Sequence, residues 1–406
     1  MKKVPLILLL FCAATLNAQF KADNVKYTTV FPEELCKTLM MTQGYTLLDV
    51  RSQGEFDDTL SSSEDLNIGH VKDALHIDIR QLPLRWKELL AYKDKPLFIY
   101  CSHSQRSRRA SRLLADSGFT KVYNINGGLT DFYNQAIESD PCSGLQIVTT
   151  VPYKIISGKG LAANARSGKS YVMIDLRTDS AFKGISADEK TKSEGRFDEA
   201  INVPLDKFLA QHSFVFPPKP ILLIDGSGDA SPKAAKLLVE KGFKDVSILF
   251  EGMDGWNDYV TTAGEKPVLK YTKFVNYDFL SPDGFDKMLK DRKDVVLIDV
   301  RGKEEFNNKS KNYWQNIGQV KGSVNIPYAE VGSSSSLPAS KETPIIVYGF
   351  NNQDNIFQSA KELKDLGYKH VYFLQNGIWG LRWTAHNIKG KSYLNDLVIN
   401  VPAENE

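Results

Sequence analysis

A chain of 406 residues is too long for one ordinary domain; at roughly 150 residues per domain it holds two or three. Its 51 Lys+Arg against 49 Asp+Glu leave a formal charge of +2, without the basic excess that marks nucleic-acid binders. Four cysteines are too few for a disulfide framework, and six scattered histidines with no CxxC pair or HExxH leave no readable metal site, so neither metal nor cofactor is expected. In chain order, Lys2 and Lys3 precede an apolar run over 4–11 and small residues up to Ala18, the pattern of a secretory signal peptide over 1–18. The bulky Phe11 before Cys12 argues against a lipid anchor. This run is too short to span a bilayer, and no other stretch reaches about 18 apolar residues, so an exported, periplasmic or secreted protein without a membrane span is expected. Beyond the leader remain Cys36, Cys101 and Cys142, an odd number that leaves at least one thiol over. Cys36 and Cys142 are expected as buried free cysteines; a mutual disulfide, or a resolving role toward Cys101, are the alternatives.

The same pattern then recurs three times. Residues 45–51 read YTLLDVR, 171–177 YVMIDLR and 295–301 VVLIDVR, each an apolar strand ending in Asp-x-Arg. A glycine-led segment follows in each copy (GHVKDALHIDI from Gly69, GRFDEAINVPL from Gly195, GQVKGSVNIPY from Gly318). The polar stretches between, such as 57–67 and 183–193, are expected as surface loops. Second strands end at Cys101, Asp225 and Gly349; each leads into a helix-like stretch, another strand and a glycine turn. The spacing of Asp49, Asp175 and Asp299 sets a period of about 125 residues, far above the 20–50 of solenoid repeats. Three domains in series are expected, at 19–143, 144–266 and 267–406, joined through the turn-rich segments 139–144 and 261–267. Strands alternating with helices predict parallel β–α–β units covered on both faces, an α/β class.

The order LLDVR…EF…GHV…FIYCSHSQRS…GGL resembles the rhodanese-like (thiosulfate sulfurtransferase) family, carried by Asp49, Arg51, Glu55, Phe56, Gly69, His70, Cys101, Arg106, Ser107, Gly127 and Gly128. The resemblance implies three tandem rhodanese-like domains, each a parallel five-stranded sheet flanked by helices. Asp49 and Arg51, with His70, are read as structural: the Asp-x-Arg pair persists in the two units that lack the cysteine.

Cys101 ends a strand, before a loop and a helix start whose N–H groups and dipole suit an anion. A thiol there should ionise more readily than usual. The resemblance makes Cys101 the nucleophile and sulfur carrier and Arg106 the anion-binding cation. The substrate-binding loop is then Ser102, His103, Ser104 and Gln105, with Ser107 beyond. Ser104 stands where the family commonly has glycine. Arg108, Arg109 and Arg112 are read as a solvated helix face. Four residues between cysteine and arginine fit sulfur transfer; related phosphatases carry one more. Asp225 with Ala230, and Gly349 with Asp354, mark the second and third units as catalytically dead, the anion site of the second being lost. The expected function is therefore movement of sulfane sulfur from a small anion such as thiosulfate to a thiol, cyanide-like or partner-protein acceptor. A non-catalytic scaffold or redox sensor, and a phosphatase-like hydrolase, are the competing readings. No nucleic acid is expected as a partner.

Overall fold

The computed structural model describes residues 25–134, 145–263 and 268–402; the expected leader and Cys142 lie outside them. The chain is wound into three five-stranded sheets, each parallel throughout and each with the same strand order. In the first unit the order is Thr28–Val30, Val122–Ile125, Leu97–Tyr100, Thr46–Asp49, Leu75–His76. Lys154–Ile156, Val246–Leu249, Ile221–Ile224, Val172–Asp175 and Ile201–Asn202 repeat it in the second. Asp278–Leu280, Val371–Leu374, Ile345–Tyr348, Val296–Asp299 and Val324–Asn325 repeat it in the third. The α/β class and three tandem units are as the repeat predicts.

The central strands are apolar on both faces because helices cover both. Along Leu97–Tyr100 the alternation sends Leu97, Ile99 and then Cys101 toward Ala110 and Leu114 of the Gln105–Asp116 helix. Phe98 and Tyr100 point the other way, into a layer with Leu35, Leu129 and Phe132. Each such buried Leu or Phe contributes roughly 1.5–3 kcal/mol. The cysteine thus sits at the carboxyl end of the central strand, on the face roofed by the next helix, where open α/β sheets place their sites.

The tail of each unit returns antiparallel onto its own glycine segment: Ile147–Val148 pairs with His70–Val71, Tyr271–Thr272 with Arg196–Phe197, and Val398–Ile399 with Gln319–Val320. Strand Ile147–Val148, beyond the expected join at 143, therefore pairs with the first unit. The units also pack on one another. Tyr133 meets Phe250 at 5.2 Å between ring centroids, Lys236 pairs with Glu64 at 2.8 Å, and Gln375 Nε2 donates to Asp258. The stretch 183–193 is not simply a surface loop. It contains the helix Glu189–Ser193, with Glu189 and Ser193 buried, packed against the Asp354–Asp365 helix of the third unit. Among the described residues no helix is long and apolar enough to cross a membrane.

Candidate active site

Cys101 is a free thiol, buried, with Sγ 3.6 Å from the Ser107 hydroxyl, which in turn donates to the Ser104 carbonyl at 3.0 Å. The loop after it is short because the helix begins at Gln105. Gln105 is therefore an exposed first-turn helix residue rather than part of the loop, and Ser107, in the same turn, is buried. The loop is pinned from below by a second turn: Leu129 N donates to Cys101 O (2.8 Å) and Thr130 N to Ser102 O (2.9 Å). Gly128, at φ 60°, lies so close that a Cβ there would stand 2.2 Å from the Cys101 carbonyl oxygen. Only glycine allows that approach.

Arg106 reaches back across the sheet ends to Glu55, Nη1 to Oε2 at 2.6 Å and Nη2 to Oε1 at 2.7 Å, while Nη2 also donates to Ser102 Oγ at 2.7 Å. Glu55 is buried and also accepts from Ser52 N at 3.1 Å in a capping box at the start of Gln53–Phe56. Burial alone would raise the Glu55 carboxyl, but its hydrogen bonds to Arg106 and Ser52 and the Arg106 charge hold it at about 2. Burial works against the Arg106 cation too; the Glu55 bonds and the nearby Cys101 and Glu55 charges outweigh it and raise its pKa. The bidentate pair fixes the guanidinium against the Ser102 side of the cysteine loop. Glu55 lies in the family signature, but its function there is a tertiary one; the local Ser52-x-x-Glu55 spacing reads only as a helix cap.

Ser102 Oγ lies 2.9 Å from His103 Nδ1, and His103, on the outside of the loop, has its pKa lowered by surrounding protein and by the Arg106 charge. Ser104, at the family's glycine position, has φ −174° and so needs no left-handed backbone. Its hydroxyl accepts from Gly127 N at 2.7 Å and donates to the His103 carbonyl, tying the two turns together.

The second unit corrects the expectation that its anion site is gone. Asp225, at the cysteine position, accepts from the backbone N–H of Gly228, Ala230 and Ser231, each at 2.6 Å. The amide cradle persists and holds the chain's own carboxylate. In the third unit the cysteine position is filled: a Cβ on Gly349 would meet Ile356 Cδ1 at 2.4 Å.

Asp49 and Arg51 form a buried clamp, Nη2 to Oδ2 at 2.7 Å, and Arg51 Nη2 donates to the Gly69 carbonyl at 2.6 Å. The same geometry recurs in Asp175–Arg177 with Gly195 and in Asp299–Arg301 with Gly318. In units with and without the cysteine, the clamp ties the end of one strand to the glycine that opens the next segment. His70 Nδ1 meets Phe56 O at 2.9 Å, and Phe56 is sandwiched between the His70 and His76 rings at 3.9 and 4.5 Å. Arg109 is exposed, but Arg108 is not part of a solvated face: it bonds Asn126, His386 and Asn387, linking the first unit to the third. Cys36 is disulfide-bonded, not free. Among the described residues no group of three or more His, Cys, Asp or Glu side chains is placed to hold a metal.

Fold and site together define a repeated α/β domain that presents a cysteine between the central strand and the next helix in one copy of three. The model of the rhodanese-like domain matches the chain at residues 32–135, 159–259 and 281–382, well over half its length, and the chain belongs to the rhodanese-like family as three tandem domains. It is similar to the uncharacterized protein YqhL of Bacillus subtilis, 35% identical over 105 residues, which are 24% of this chain and 74% of that protein. It is also similar to the tRNA uridine(34) hydroxylase of Escherichia coli K12, 30% identical over 95 residues, 22% of this chain and 24% of the hydroxylase. The matched segment thus spans about a quarter of the hydroxylase. Among solved structures, the thiosulfate sulfurtransferase from Pseudomonas aeruginosa aligns over 86% of this chain and 66% of that chain, at 18% identity and a TM-score of 0.23.

Proposed function

We propose that the protein is an exported sulfurtransferase that moves sulfane sulfur from a donor such as thiosulfate to a thiophilic acceptor through a persulfide on Cys101. The observation that carries this reading is the contrast between units: the loop that grips the Asp225 carboxylate in the second carries, in the first, a free cysteine backed by Arg106. In the first half-reaction the Cys101 thiolate attacks the outer sulfur of thiosulfate. A new S–S bond forms, the donor's S–S bond breaks, and the electron pair leaves with sulfite. In the second, cyanide or a thiolate attacks the outer sulfur of the persulfide and returns the Cys101 thiolate, a two-step covalent cycle. The amides that begin the Gln105–Asp116 helix would hold the anion, and Arg106, fixed by Glu55, would face the departing charge. The leader-like sequence over 1–18 and the Cys36 disulfide support an oxidising, extracytoplasmic location, periplasmic or secreted.

The test is mass spectrometry of the whole protein after incubation with thiosulfate. One added sulfur on Cys101, discharged by cyanide and absent from Cys101→Ser, is the expected result. No adduct with thiosulfate or with other sulfur donors would overturn the reading in favour of a scaffold or redox-sensing protein.

A further inference from the structure

The sheet edge beside the cysteine loop carries a second arginine clamp that the other two units lack. The three units run alike there. Ile77 N donates to Asp49 O and Ile79 N to Val50 O; Val203 and Leu205 do the same to Asp175 and Leu176, and Ile326 and Tyr328 to Asp299 and Val300. On this shared backbone the first unit has Asp78 and Arg80, where the second has Pro204 and Asp206 and the third Pro327 and Ala329. Arg80 Nε lies 3.0 and 3.1 Å from the two Asp78 oxygens, and its backbone N–H donates to Oδ1 at 2.9 Å. Asp78 is buried, whereas 76% of the Arg80 side chain is exposed, and among the described residues nothing accepts a hydrogen bond from its Nη1.

The clamp lies abreast of the cysteine. Asp49 is in register with Tyr100 and with His76, so Val50, the next residue, stands beside Cys101, and Ile79 N donates to Val50 O at 3.1 Å on its other side. At about 4.8 Å per strand, the Ile79 backbone is about 10 Å from that of Cys101 and Arg80 is the next residue, a gap that an arginine side chain and a small anion span together. The Asp78 hydrogen bond and charge raise the Arg80 pKa, and smaller influences of Arg106, which lowers it, and of Glu55, which raises it, act there as well. An exposed guanidinium that a buried carboxylate holds in place loses little conformational freedom when it takes a ligand.

We propose that Arg80 is a specificity-determining residue for the sulfur donor, binding a second negative charge remote from the transferred sulfur and so favouring dianions such as thiosulfate over monoanionic donors. The inference rests on the sulfur-transfer reading and names its substrate class. Arg106 serves the loop; Arg80, outside the loop, serves the far end of the donor.

The experiment compares the full-length wild type, Arg80→Gln, and the double variant Asp78→Asn/Arg80→Gln, which leaves no unpaired buried carboxylate. Thiosulfate and the monoanion benzenethiosulfonate are the donors, with cyanide as acceptor. Loss of one charge-assisted bond raises KM for thiosulfate about tenfold, with kcat within about twofold, while KM for the thiosulfonate moves less than about twofold. An unchanged KM for thiosulfate, or an equal rise for both donors, overturns the proposal. A second readout needs no turnover: thiosulfate titrated calorimetrically into Cys101→Ser, with and without Arg80→Gln. Binding about tenfold weaker without Arg80 supports the proposal; equal affinity, or no binding to either protein, overturns it. A wild type that takes up no sulfur from any donor defeats the sulfur-transfer reading, and the titration still decides the role of Arg80.

Discussion

Arg108 Nη2 stands 3.1 Å from the carbonyl oxygen of His386, so the helix that follows Cys101 is tied to the end of the last helix of the third unit. The same nitrogen reaches Asn387 Oδ1 at 3.0 Å and Asn126 Oδ1 at 3.0 Å, and Asn126 Nδ2 donates to the His386 carbonyl at 3.1 Å. A cation at a helix carboxyl end satisfies carbonyls that the helix leaves open and meets the negative end of its dipole. Asn126 immediately precedes the Gly127–Gly128 turn that supports the cysteine loop. A unit without its own cysteine thereby braces the unit that has one.

Arg108→Ala should lower stability by about 1–3 kcal/mol, because charge-assisted bonds are lost and buried acceptors are left unpaired. Chemical denaturation measures the loss. Hydrogen exchange should accelerate at 126–128 and at the end of the Gly377–Asn387 helix together; acceleration on one side alone would contradict the brace.

Glu55 gives a pH signature. Its folded carboxyl is held at about 2, below the ordinary 4.5, so its contribution is fully present above about 4.5 and is lost as the pH falls through about 2. Glu55→Gln should cost a few kcal/mol at pH 7, about what such a depression is worth. The gap between wild type and variant should close on acidification toward pH 2. Unfolding curves across that window test the sign, and a gap that widens in acid would refute it.

The cradle of the second unit predicts an anion rescue. Asp225→Ala leaves the N–H groups of Gly228, Ala230 and Ser231 without their carboxylate partner, at a cost of about 2–4 kcal/mol. Sulfate or phosphate should restore part of the melting temperature of this variant and leave the wild type less affected. No difference between the two proteins would mean that the amides do not form an anion site.

Gly128→Ala places a methyl group 2.2 Å from the Cys101 carbonyl oxygen at a positive φ, so the loop and the turn must separate. A loss of about 1–3 kcal/mol is expected from the backbone conformation alone. Alkylation of Cys101 should become faster as the loop loosens. An unchanged rate would show that the turn does not position the cysteine.

The repeat was legible because the strand and glycine motifs are local. An apolar run followed by Asp-x-Arg recurs in one order three times, and the resemblance built on it carried the sheets and the position of Cys101. The Asp49–Arg51 clamp was equally readable, since its partners are two residues apart and the two degenerate units serve as internal controls. The pairing of Arg106 with Glu55 was not, because 51 residues separate them and Glu55 already has a local explanation as a helix cap. Arg108 misled for a related reason: charged residues three and four apart look like a solvated face until a neighbouring domain covers one of them.

The sequence by itself determined the number of units, their class and which one keeps a thiol, since strand periodicity and residue identity at a motif position are properties of short segments. Only the tertiary structure decided what surrounds that thiol. It joined Glu55 to Arg106, filled the second cradle with Asp225 and the third position with Ile356, and set His386 against Arg108. Hydrogen bonds and van der Waals exclusion act over a few ångströms of space, and which residues share that space is set by the folding of distant segments onto common sheet ends and by the docking of one unit on another.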